Sequence, residues 1–250
     1  MESKLTSHGF EILPNVVSQR DCTAIANHLD GLLREQNVGV IRSQNRRHVG
    51  GRNLQSTWSG WRAVIRNDRL QRFLTQHLGE RFGLVRILFF DKPPQQSWNL
   101  SLHRDRAIAV SRHHQPPEPY GRPNHKAGVP HVHANDSLLE QMLTLRLHLD
   151  AMHAGNGPLT VVPRSHRNRD QPAGDAMAIH CGRGDVFAMR PLLLHGSRSS
   201  AADNTDHRRV VHLEIAPDGV LSAPYRWFRY DEASILPVAF ASPPNTPGTP

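Results

Sequence analysis

The sequence predicts a mainly β fold with flanking helices, a double-stranded β-helix of the jelly-roll kind. Three observations carry this. Helical periodicity is confined to about the first 83 residues. From residue 84 the chain runs in short apolar or alternating segments broken by Gly, Pro and Asn, as sandwiches and barrels do. Helices first and strands after place the helices outside a β core, which a jelly roll satisfies.

The elements follow in order. Ser18 and Asp21 form a capping-box pattern ahead of Cys22, Ile25, Ala26, Leu29 and Leu32, predicting an amphipathic helix over about 19–35. Leu70, Phe73, Leu74 and Leu78, with Gly79 as a stop, predict a second over 68–78. Strands are read at LVRILFF (84–90) and at NLSLHRDRAIAVS (99–111). LTLRLHLD (143–150) sets Leu143, Leu145, Leu147 and Leu149 against Thr144, Arg146, His148 and Asp150. LTVVP (159–163), DVFAM (185–189), PLLLH (191–195) and RRVVHLEI (208–215) follow, and YRWFRY (225–230) closes the set. The Pro- and His-rich stretch at 112–135 is too long for an ordinary hairpin loop and is read as a lid or binding loop. The chain is expected to form one domain over 1–240, with a helical part at about 1–83 and a jelly-roll core at about 84–230. The Pro-rich tail at 241–250 reads as disordered.

Composition narrows the function classes. The chain has 250 residues and only two cysteines, Cys22 and Cys181, so no disulfide framework is implied. No apolar run reaches the ~20 residues that span a bilayer, and the N-terminus lacks the apolar stretch of a signal peptide. A cytoplasmic protein is expected. The formal charge of +8 comes from scattered arginines, with no basic tail and no nucleic-acid-binding motif. The charge is therefore read as a bias toward an acidic small-molecule substrate, with nucleic acid a minor alternative and no membrane partner. Oligomeric state is not legible.

Three residues carry the chemistry. On a strand, His103 and Asp105 share one face while Arg104 points away. An imidazole and a carboxylate at that spacing converge on one ion, and a second histidine completes the two-histidine, one-carboxylate triad that holds Fe(II) with positions left open. His195, at the end of the apolar run before Gly196, is the best candidate for the third ligand, against a plain strand-capping histidine. Further on, Arg208 and Arg209 open a strand that can present a guanidinium to a carboxylate. Arg209 shares its face with Val211, Leu213 and Ile215, and Arg208 with Val210, His212 and Glu214. Spacing leaves the choice open, with Arg208 favoured if the polar face lines the pocket. His148, Asp150 and His153 repeat the H-x-D pattern but leave less room for strands before His195, so they are read as polar lining or turn residues. His113, His114, His125, His131 and His133 match no zinc spacing and are read as solvated loop residues.

The segments LHRDRAIAV, AGVPHVHA, MLTLRLHLD, NGPLTVVPRSHR, GDVFAMRPLLLHGS and HRRVVHLEI resemble, in residues and order, bacterial members of the phytanoyl-CoA dioxygenase family. The resemblance runs from about Val85 to Ile215, with GGRNL (50–54) also similar. It implies a cupin-like double-stranded β-helix and an oxygenase that uses Fe(II), O2 and 2-oxoglutarate. It implies His103, Asp105 and His195 as catalytic iron ligands and Arg208 on the distal carboxylate of 2-oxoglutarate, helped by Ser197. Lys92 and Arg146 or Thr144 are further candidates beside the co-substrate, while Asn156 and Gly157 read as a turn. Family halogenases lack the carboxylate ligand, so Asp105 points to hydroxylation. The family usually reads Trp-His-Gln-Asp where this chain has Leu102, His103, Arg104 and Asp105, and Gly where it has Arg164. A silent jelly-roll binding module and an oxygenase acting on nucleic acid are the alternatives. The stretches at 42–56 and 112–135 are expected to decide the substrate.

Overall fold

The computed structural model describes residues 2–35, 39–42, 48–94, 98–168 and 174–234, so the expected tail at 241–250 lies outside the described residues. In chain order the elements are α1 (Lys4–His8), β1 (Phe10–Leu13), α2 (Gln19–Arg34), β2 (Gly39–Arg42), β3 (His48–Arg52), α3 (Trp61–Ile65), α4 (Asp68–Leu78), β4 (Gly83–Lys92), β5 (Leu100–His103) and β6 (Ala107–Ala109). They continue with β7 (Gly121–Lys126), β8 (Val129–His133), α5 (Asp136–Leu139), β9 (Leu143–His148), β10 (Leu159–Val161), β11 (Met177–Ala178), β12 (Val186–Met189), β13 (His195–Ser197), β14 (Arg208–Ala216) and β15 (Asp231–Glu232). The fold is mainly β, as expected.

The two predicted helices form where the sequence places them. Ser18 caps α2 by accepting from the Asp21 amide, and Asn67 caps α4 by accepting from the Arg69 and Leu70 amides. Their buried faces, Cys22, Ala26, Leu29 and Leu33 from α2 and Leu70, Phe73 and Leu74 from α4, join one core with one face of the major sheet.

That sheet has eight strands, ordered β1-β12-β9-β14-β4-β3-β2, with β15 also on β4. β14 is central and antiparallel to both β4 and β9. Its alternation divides two environments. Val211, Leu213 and Ile215 meet the helices, as do Leu143, Leu145 and Leu147 of β9. Arg208, Val210 and His212 take the opposite face, with Arg146 and His148 beside them on β9. A four-stranded sheet, β11-β10-β13-β5, supplies the second layer. One apolar cluster contains Leu159 and Val161 of this sheet together with Phe187 and Met189 of β12. A third, three-stranded sheet, β6-β8-β7, holds the hairpin expected as a lid.

Four expectations are corrected. First, 99–111 is not one strand: β5 pairs β13 and β6 pairs β8, in different sheets. Of the residues between them, Arg104 and Asp105 bond to the turn at Pro191–Leu192 and the Arg106 carbonyl accepts from the Ala134 amide, so no single neighbour pairs with the whole run. Second, the apolar run before His195 is a turn, closed by the Leu193 amide donating to the Arg190 carbonyl. Pro191 has no amide to give a ladder, and His195 opens β13 rather than ending a strand. Third, 225–230 makes one bridge, Trp227 to Val110, and otherwise packs Tyr225 and Trp227 into a second apolar cluster. Fourth, much of 112–135 is ordered into β7 and β8. Their turn is Ala127-Gly128, both at positive φ (51° and 76°), the geometry of a tight two-residue hairpin. The first 83 residues also add β1, β2 and β3 to the major sheet. Within 42–56, residues 43–47 lie outside the described residues.

Candidate active site

The three chemistry-bearing residues converge. His103 ends β5, His195 opens β13, and the two lie opposite each other in register. Asp105 follows β5 by two residues. One ligand atom from each of the three lies within 4.8 Å of the others, and among the described residues no other group of this kind forms. His103 Nε2 is 3.7 Å from Asp105 Oδ1, and His195 Nε2 is 3.5 Å from Asp105 Oδ2. Cis ligands at ~2.1 Å from one ion are roughly 3 Å apart, so modest contraction closes the set on a metal.

The backbone sets the tautomers. His103 Nδ1 lies 2.9 Å from the Ser101 carbonyl and His195 Nδ1 lies 2.8 Å from the Leu193 carbonyl. Each carbonyl accepts an Nδ1–H, which leaves both Nε2 lone pairs for a metal. Burial lowers the His195 pKa to about 4, against the opposing pull of Asp105. Burial pushes Asp105 up, yet His195, His103, Arg86 and Arg146 together outweigh it and hold the carboxyl below its ordinary value. Neutral imidazoles and an ionised carboxylate are the forms that bind a cation. The donor set fits iron.

Gly196 lets the two ligand strands meet. A Cβ there would lie 2.5 Å from the Leu100 carbonyl oxygen across the β5–β13 pair. Arg104, which departs from the family pattern, donates from Nε to the Leu192 carbonyl (2.9 Å) and from Nη2 to the Ser165 carbonyl (3.1 Å). The Asp105 amide donates to the Pro191 carbonyl (2.9 Å). Arg164 sits at φ 67°, the left-handed region that favours the glycine of its relatives.

The triad opens on a cavity of about 480 Å³. Of the expected co-substrate residues, Arg208, Arg146 and Ser197 line it. Arg208 is buried, its Nε has no partner among the described residues, and its Nη1 meets the Met152 sulfur at 3.9 Å. Burial and Arg146 pull its pKa down to about 9. Arg146 Nε is likewise unpartnered, and burial lowers that guanidinium to about 10.

Lys92, the register partner of Arg208, and Arg209 do not line the cavity. Lys92 is buried and donates to the Trp98 (2.8 Å) and Arg198 (2.7 Å) carbonyls, outside the cavity lining. Burial lowers its pKa to about 7, with Arg208 and Arg146 adding repulsion. Arg209 points away from the cavity and pairs with Asp150 (2.8 and 2.9 Å) and Asp30 (3.1 Å). Thr144 is buried outside the lining.

The alternative histidines disperse. Asp150 serves Arg209, and His148 is buried with both ring nitrogens unpartnered, held neutral by burial. His153 caps the turn at Ala154–Asn156 and pairs with Asp206 at 3.1 Å. His113 packs on His125 in the hairpin sheet, while His133 reaches the cavity lining.

His212, on the polar face of Arg208, lines the cavity, as do Arg52, Arg86 and Lys126, to which the sequence reading gave no role at the site. Arg86 makes a bidentate pair with Glu214 inside the barrel, Nε to Oε2 at 2.8 Å. The available signal was alternation: Glu214 shares the polar face with Arg208, and Arg86 faces it across the β4–β14 register.

A double-stranded β-helix with a two-histidine, one-carboxylate cluster at the mouth of a cationic cavity defines a non-heme iron oxygenase. The chain matches the phytanoyl-CoA dioxygenase (PhyH) family over residues 5–210 and belongs to it. It is accordingly an enzyme of the Fe(II)- and 2-oxoglutarate-dependent class. No curated protein matches the chain. Among solved structures it resembles AviO1 from Streptomyces viridochromogenes Tue57, at 19% identity over 88% of this chain and 95% of that one, TM-score 0.60. It also resembles the non-heme alpha-ketoglutarate-dependent epimerase SnoN from nogalamycin biosynthesis, at 15% identity over 96% and 87%, TM-score 0.62. EctD from S. alaskensis with bound Fe is similar at 16% identity over 85% and 74%, TM-score 0.61. These likenesses are of fold. No helix among the described residues is long and apolar enough to cross a membrane.

Proposed function

We propose that this enzyme hydroxylates a C–H bond of a small-molecule substrate, with release of succinate and CO2. The observation that carries the reading is the triad His103, Asp105 and His195, with both Nε2 atoms turned to one point beside a cavity that also presents Arg208. When bound, iron and 2-oxoglutarate supply the oxidising chemistry, with O2 as oxidant.

The chain's part is to bind, orient and exclude water. His103, Asp105 and His195 would hold the metal. Arg208 offers a buried guanidinium with unpaired N–H groups to the distal carboxylate of 2-oxoglutarate, a bidentate match for a carboxylate. Ser197 lines the wall two residues after the distal histidine, and Arg146 adds positive potential at the same end. Leu88, Phe90, Trp98, Leu100 and Val210 form apolar walls around the reacting centre. Asp105 supplies the carboxylate that the family's halogenases lack, which favours hydroxylation.

The test is a succinate-release screen across candidate metabolites, with His103→Ala as the blank. Anaerobic addition of Fe(II) and 2-oxoglutarate should give a metal-to-ligand charge-transfer band. A wild-type chain that lacks this band and releases no succinate would overturn the reading.

A further inference from the structure

The cavity holds a second group of cations, distinct from the group around Arg208. Arg52 and Lys126 line it and have no hydrogen-bond or ion-pair partner among the described residues. Arg86 lines it too, is 5% exposed, and keeps its Nη1 unpartnered while pairing with Glu214. The three are neighbours. Arg52 lies opposite Leu88 on the β3–β4 register, two residues from Arg86. Lys126 arrives from the other hairpin: Gly39, paired with Arg52, approaches Ala127 so closely that an added Cβ would lie 2.5 Å from the Ala127 Cβ. The fields of Arg52 and Arg86 both act on Lys126.

The two groups face opposite ends of one site. Arg208 and Glu214, the partner of Arg86, are six residues apart on β14, roughly 20 Å along an extended strand. His103, Asp105 and His195 line the same cavity as both groups. Three cations against one carboxylate, Glu214, leave a net charge of +2 at this end. A phosphoryl dianion matches that charge and offers acceptors to several donors at once, whereas a carboxylate leaves a cation unpaired.

Building on the proposed hydroxylase reading, we infer that Arg52, Arg86 and Lys126 form a subsite for a phosphoryl group carried by the substrate to be hydroxylated. The group anchors the substrate at the hairpin end and directs its C–H bond to the metal, while Arg208 holds the co-substrate at the other end.

The test uses the full chain loaded anaerobically with Fe(II) and 2-oxoglutarate, titrated calorimetrically with inorganic phosphate and, separately, with acetate. The expected result is saturable phosphate binding that is tighter than acetate binding. It should weaken at least tenfold in the double variant R52Q/K126Q, with the charge-transfer band intact throughout. Absence of saturable binding, acetate binding as tight as phosphate, or equal phosphate affinity in the double variant would overturn the subsite. So would phosphate that abolishes the band, since it would then compete for Arg208 or the metal. A wild-type chain with no band before phosphate is added would instead count against the hydroxylase reading itself.

Discussion

Replacing Arg208 with Leu should separate co-substrate affinity from stability. The guanidinium is 5% exposed and bonds to no oxygen among the described residues. Burial and Arg146 lower its pKa from the ordinary guanidinium value to about 9. At ~1.4 kcal/mol per unit, this marks a cost of several kcal/mol for holding the charge there without an anion. A carboxylate seated on it gains two charge-assisted hydrogen bonds of about 1.5–3 kcal/mol each. Arg208→Leu should therefore weaken 2-oxoglutarate binding by about 3–5 kcal/mol, or roughly two to four orders of magnitude in Kd. The same substitution should leave the melting temperature without 2-oxoglutarate unchanged or raise it by a few degrees, because a buried unpaired charge is removed. Arg209→Leu is the contrast: it strands Asp150 and Asp30, so stability should drop while Kd stays within threefold. Anaerobic titration of the charge-transfer band reads Kd, and calorimetric melting reads stability. A shift below fivefold in Arg208→Leu, or an equal loss of affinity in Arg209→Leu, would refute the assignment of Arg208 to the co-substrate.

Three further outcomes are expected. Arg86→Met leaves the buried Glu214 carboxyl without its partner, so it should cost about 3–5 kcal/mol, roughly 10 °C in Tm, and the double variant with Glu214→Leu should recover most of this; additive losses in the double variant would contradict the pair. Gly196→Ala must displace the Leu100 carbonyl, so iron affinity should fall at least tenfold although no ligand changes; unaltered Fe(II) binding would contradict the packing argument. Lys92 titrates near 7 in the folded chain and near 10.5 unfolded, so its burial cost is full below pH 7 and fades between pH 7 and 10.5. Urea unfolding should show stability rising with pH across that window, by at most ~1.4 kcal/mol per unit from this group, and Lys92→Met should flatten the rise.

The fold and the convergence of the candidate metal ligands were legible for a specific reason. α2, α4, β4, β9 and β14 have alternation or periodicity strong enough to read in one pass, and β14 also announces its polar face through Arg208, His212 and Glu214. The spacing rule found His103 and Asp105 even though Asp105 lies beyond the strand, because the geometry it needs is local. What was lost is non-local. Nothing in GGRNL says that Arg52 will face Arg86, since that follows from β3 pairing with β4. The β7–β8 turn was missed because Ala127 takes a positive φ where Asn or Gly would have signalled it. Lys92 reads as a co-substrate residue from its position before the H-x-D pair, yet two carbonyls claim it. Arg164 shows the opposite case: the backbone takes a conformation that favours glycine although the residue is arginine.

The links made by Arg104 and Asp105 have an entropic consequence. The Arg104 side chain and the Asp105 amide both bond to the turn at Pro191–Leu192, three to four residues before His195. The near and distal ligands are thus joined by protein alone. Fixing a residue's backbone costs about 1–2 kcal/mol in conformational entropy. Here that cost is met during folding, and little chain freedom is left to lose when an ion arrives. Metal capture should therefore proceed with a small heat-capacity change, on a backbone shared by the free and loaded enzyme.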